Sequence, residues 1–85
     1  MKKIDDTLAE RESTYGDFAN VAEVSQFLKN NMSSGRNWEF MPAHQKESLE
    51  MIASKIARIV CGDSNHHDSW HDIGGYAKLV ADRLL

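Results

Sequence analysis

Four carboxylates in this sequence have a spacing that can do chemistry. Glu47 and Glu50 stand three apart in a helical pattern and, at ~100° per residue, share one face. Asp68 and Asp72 stand four apart in the next such pattern and again share a face. Four acids brought together repel one another unless a cation neutralises them. Hard divalent cations take oxygen ligands and bridge to phosphates, which points to Mg²⁺, with Mn²⁺ as a substitute. Lys55 and Arg58 are near enough in sequence to pair with phosphate oxygens or with the acids themselves. Tyr76 and Leu79 continue the line of Asp68 and Asp72, so that face is not simply polar. The plainer readings are a solvated face for Glu47 and Glu50, an N-cap for Asp68, and a structural hydrogen-bonded network of Asp68, Asp72 and Tyr76.

Other residues carry weaker signals. His66, His67 and His71 crowd one region, and His67 with His71 has the four-residue spacing of a helical transition-metal chelate. Solvated loop histidines are the default, and contact with a substrate phosphate lies between the two. Tyr15-Gly16-Asp17 reads as a turn with an N-cap, or as a loop that closes over a nucleotide. Gly74-Gly75 inside a helix costs roughly 1–2 kcal/mol of propensity, which suggests close approach of another helix or a ligand. Trp38 and Trp70 suit core or interface anchors, and Cys61 a small buried hydrophobe.

The elements that must position these residues are helices, because no alternating strand pattern occurs. A short helix is expected over Ile4 to Glu12, broken by Ser13-Thr14-Tyr15-Gly16. Asp17 caps a second helix to about residue 32, with Phe18, Val21, Ala22, Val24, Phe27, Leu28 and Met32 on its apolar stripe. A loop at 33–37 follows, and Trp38, Phe40 and Met41 are expected to anchor it to the core. Pro42 suits the first turn of a third helix, with Leu49, Ile52, Ala53, Ile56, Ile59 and Val60 facing inward and Gly62 closing it. Asp68 or Ser69 caps a fourth helix that runs to residue 85, with Trp70, Ile73, Ala77, Val80, Ala81 and Leu84 on its core face. The expected fold is one all-α domain over 1–85, its core about 7–85, with two long antiparallel C-terminal helices.

Length and composition bound the function. At 85 residues, of which 41% are hydrophobic, a single chain buries little surface, so a homo-oligomer is expected. Ten Lys and Arg against 13 Asp and Glu leave a charge of −3, which argues against gripping nucleic-acid phosphates. One Cys gives no disulfide framework. No apolar run is long enough for a membrane span, and the acids of Met-Lys-Lys-Ile-Asp-Asp do not suit a signal peptide, so a cytoplasmic protein is expected.

Thr14-Tyr15-Gly16-Asp17, Leu49-Glu50-Met51-Ile52, Lys55-Ile56-Ala57-Arg58 and Asp68-Ser69-Trp70-His71-Asp72-Ile73-Gly74-Gly75-Tyr76 resemble a family of small phage and prophage proteins of uncharacterised function. The resemblance covers roughly residues 7 to 81. More distantly, the order of parts is similar to the MazG-like all-α nucleotide pyrophosphohydrolases. Those oligomeric enzymes hold Mg²⁺ with a Glu-x-x-Glu pair and a later Glu-x-x-Asp pair, and they cleave nucleoside triphosphates to monophosphate and pyrophosphate. Glu47 and Glu50 match the first pair. Asp68 and Asp72 stand at the second as Asp-x-x-x-Asp, which shifts one acid by a position and shortens its side chain.

The resemblance implies a phage-type protein, in the host cytoplasm, that binds a nucleoside polyphosphate through divalent metal. It implies metal and catalytic roles for Glu47, Glu50, Asp68 and Asp72, and substrate contacts from Lys55, Arg58, Tyr15, Asp17 and Tyr76. The competing expectations are a non-catalytic accessory protein that sequesters a nucleotide or binds a host protein, and a structural helical oligomer.

Overall fold

The computed structural model describes residues 3–85, and among them every regular element is helical. Four α-helices follow one another: α1 Ile4–Tyr15, α2 Phe18–Ser33, α3 Ala43–Cys61 and α4 His67–Ala81. Single 3₁₀ turns at Trp38–Phe40 and Asp82–Leu84 precede α3 and extend α4.

Helix α3 is the centre of the fold. It packs against α4 on one side and α2 on another, and α1 reaches it near its C-terminal end. Ser48 donates from its hydroxyl to the Tyr76 carbonyl at 2.7 Å, and Lys55 pairs with Asp72 at 3.1 Å. Later positions on α3 thus meet earlier ones on α4, so the two run antiparallel, as expected from the short connection. Toward α2 the hydroxyls of Ser25 and Ser54 meet at 3.5 Å. The fully buried positions are small: Ser25, Ser48, Ala53, Ala57 and Ser69, with Ile59 the one large side chain among them. Small residues at these points let helix backbones approach closely.

The α1–α2 corner locks onto the α3–α4 corner through two glycines. Gly16 has φ +93°, in the region that favours glycine, and its amide donates to the Glu12 carbonyl at 2.8 Å. A Cβ there would lie 2.8 Å from the carbonyl carbon of Cys61. A Cβ on Gly62 would lie 2.6 Å from the Tyr15 Cα. The Asp63 amide closes the junction by donating to the Thr14 carbonyl at 2.7 Å. Tyr15 sits in the same junction, with the Arg11 and Arg58 guanidinium carbons 5.0 and 4.7 Å from its ring centroid and the His66 ring edge-on at 5.5 Å.

Several sequence expectations are corrected. α1 continues to Tyr15 instead of stopping at Glu12, because the Ser13 and Thr14 hydroxyls bond back to the Glu10 carbonyl and stay within the helix. Pro42 is the residue before α3 and not part of its first turn. α4 begins at His67, so Asp68 lies in its first turn and Ser69 is buried; neither caps it. The core is also smaller than expected. Leu49, Ile56, Val60, Trp70, Leu84, Phe18, Phe27 and Phe40 are exposed, as are Ala77 and Ala81. Asp17 does cap α2, accepting from the Asn20 amide at 3.2 Å, and Gly62 does follow the last turn of α3.

Gly16→Ala is expected to cost about 3 kcal/mol, from the positive φ and the collision with Cys61. Gly62→Ala is expected to cost about 2 kcal/mol from collision alone. Urea unfolding followed by circular dichroism measures both, and unchanged midpoints would refute the lock.

Candidate functional site

Two adjoining hollows lie along α4, the larger lined by α4 residues alone and the smaller set in the α3–α4 seam. The larger, about 430 Å³ and wide open, is lined by His71, Asp72, Gly75, Tyr76 and Leu79. The smaller, about 200 Å³, lies between His44, Glu47 and Ser48 of α3 and Tyr76, Leu79, Val80 and Arg83 at the end of α4. Tyr76 and Leu79 belong to both, so the hollows adjoin, with Asp72 on one and Glu47 on the other.

The four acids do not converge within one chain. Asp72 is engaged by Lys55, whose side chain is largely buried while the carboxylate is half-exposed. Glu47 is exposed on the groove wall. Glu50 lies one turn before Ser54, which meets Ser25, so its side chain leaves α3 on the side of α2. Asp68 stands exposed in the first turn of α4, 3.5 Å from the His67 Nδ1. Among the described residues, no three His, Cys, Asp or Glu side chains gather as a metal-binding group. His67 and His71 do meet, with their rings stacked at 5.6 Å between centroids.

The other candidates divide between two places. Tyr76 lies in the seam beside Asp72 and Lys55. Tyr15, Asp17 and Arg58 lie at the corner junction, where Asp17 caps α2 and Arg58 covers the Tyr15 ring. His44 also lines the groove. Its position one turn before Glu47 and Ser48 was the available signal, but a lone histidine ahead of an acidic pair points to no particular chemistry.

The family model for a domain of unknown function, DUF6378, matches residues 1–84. The chain belongs to the DUF6378 family. No curated protein and no solved structure matches it. What this DUF6378 chain offers chemically is a pair of adjoining hollows with carboxylates, imidazoles and a guanidinium along their walls, one of those carboxylates, Asp72, being paired with Lys55. No helix of its described residues is long and apolar enough to cross a membrane.

Asp72→Ala strips a mostly buried Lys55 ammonium of its partner, and is expected to cost about 1 kcal/mol. Adding Lys55→Met should recover most of that loss, because the methionine stem fills the same space without a charge. Thermal unfolding of the two single variants and the double variant measures the coupling. Additive effects would show that the ion pair contributes nothing.

Proposed function

We propose that the α3–α4 seam binds a nucleoside polyphosphate together with Mg²⁺ or Mn²⁺, in a phage-type protein of the host cytoplasm related to the MazG-like pyrophosphohydrolases. The observation that carries this reading is the pair of adjoining hollows that share Tyr76 and Leu79, with Asp72 on one and Glu47 on the other. Mg²⁺ commonly takes only one or two protein carboxylates, with water and phosphate oxygens filling its other positions. An ion arriving on a polyphosphate therefore needs no preformed three-acid cluster. Glu47 and Asp72 are the carboxylates that would meet it first, with Glu50 turned toward the α2 side of α3 and Asp68 beyond the start of the seam. When bound, such an ion withdraws charge from the phosphoryl oxygens.

The chain's own groups have distinct parts in this reading. Lys55 releases Asp72 and turns its ammonium to a phosphate oxygen, exchanging one anion for another. Arg83 and His44 supply further donors at the far end of the seam. Tyr76 offers its ring to a base or sugar. If turnover follows, a carboxylate takes a proton from water as the water oxygen bonds to a phosphorus of the α–β anhydride, the bond from that phosphorus to the bridging oxygen breaks, and nucleoside monophosphate and pyrophosphate leave. The second reading is binding without turnover, in an accessory protein that sequesters a nucleotide or docks on a host protein. It is favoured by the separation of the four acids and by Asp72 already having a cationic partner.

Calorimetric titration with Mg²⁺, Mn²⁺ and a pool of nucleoside triphosphates tests both readings, with pyrophosphate measured in the same mixtures. The expected outcome is divalent-dependent nucleotide binding that Glu47→Gln or Asp72→Asn weakens by about tenfold or more. Pyrophosphate release makes the chain an enzyme, and binding alone makes it a sequestering protein. Absence of any metal-dependent nucleotide binding refutes both nucleotide readings.

A further inference from the structure

The buried positions of α3 fall in two stripes. Ser48 and Ile59 lie toward α4, and Ala53 and Ala57 lie about 140–160° further round, beside Ser54 and α2. Between these stripes lie Leu49, Ile56 and Val60, with exposures of 40, 38 and 65%. Their spacing with Ala53, at 49, 53, 56 and 60, alternates four and three residues, the seam of a helical bundle. Helix α4 carries the same spacing at Trp70, Gly74, Ala77 and Ala81, all exposed. At ~100° per residue this second seam is roughly opposite Leu79, and so on the side of α4 away from the grooves. The Leu49–Val60 stripe is likewise far round α3 from the groove residues Glu47 and His44. Two adjacent antiparallel helices thus present apolar seams on one side, and apart from Ala53, which is buried beside α2, their residues stand exposed among the described residues.

The exposed area agrees. A compact 9.6 kDa chain exposes about 5,100 Å², whereas this one exposes 6328 Å². Two copies that each covered the surplus would bury about 2,400 Å² together, within the span of about 2,000–5,000 Å² typical of permanent homodimers. We infer that a second copy of this chain covers the α3–α4 seam face, two helical hairpins stacking about a twofold axis into a four-helix bundle. A twofold contact places the same patch on both partners, which suits seams of one spacing on both helices. The contact leaves the polyphosphate groove on the outer side, so it stands or falls independently of that proposal.

Sedimentation velocity at micromolar concentration tests this, with helicity checked by circular dichroism. The wild-type chain is expected at twice its 9.6 kDa mass. Val60→Glu, at a side chain that a lone chain leaves 65% exposed, is expected to fold and to weaken association by about a hundredfold or more. Leu79→Glu, 61% exposed on the groove side, should leave the mass unchanged. If Val60→Glu does not fold, the milder Val60→Thr is read in its place and should lower the association constant. A folded wild-type monomer whose melting is independent of concentration overturns the inference and leaves the face to a different partner. So does a dimer indifferent to residue 60, or one that Leu79→Glu dissociates.

Discussion

The fold depends on two glycines that let two corners occupy nearly the same place. Gly16 and Gly62 bring the end of α1 against the end of α3 at backbone distance, and the Asp63 amide ties the junction to Thr14. Without that approach α1 would have little to hold its angle to the α3–α4 hairpin, since it has no buried residue of its own. The aromatic and cationic groups around Tyr15 then seal the junction from its sides. Each residue of the Tyr-Gly-Asp motif has a structural part: a ring that is packed, a glycine that permits contact, and an acid that starts the next helix.

The helices themselves were legible in the sequence because their ends carry local chemistry. Asp17 and Gly62 act at the places their types suggest, and the apolar spacing of α3 and α4 is regular. The failures have physical causes. Ser13 and Thr14 were read as breakers because such side chains compete for backbone groups, yet here they satisfy a carbonyl within the helix. The entry to α4 is organised by Asp63, whose carboxylate accepts from Asn65 and whose carbonyl accepts from His66, and not by the acid nearest the helix. Apolar periodicity identifies a face but not what it meets. Leu49, Ile56, Val60 and Trp70 follow a core pattern and yet stand in solvent in the single chain.

The candidate site was legible as a set of residue types on shared helix faces, not as a geometry. Spacing along one helix places Glu47 beside Glu50 and Asp68 beside Asp72, but it says nothing of the angle at which two helices meet. Here Glu50 falls on the α2 side of α3 by its spacing with Ser54, Asp72 meets Lys55, and Asp68 stands in the first turn of α4. A pattern of four acids therefore becomes a graded surface along α3 and α4.

The Trp70 indole has a consequence of its own. Its ring is more than half exposed, yet its N–H donates to the Ser64 carbonyl at 2.9 Å across the α3–α4 connection. The polar edge of the ring is satisfied, and its two torsions are fixed before anything touches it. Immobilising a rotamer-rich side chain on binding usually costs about 0.5–1.5 kcal/mol. For this tryptophan most of that entropy is lost already on folding, so it meets an incoming surface as a rigid plate.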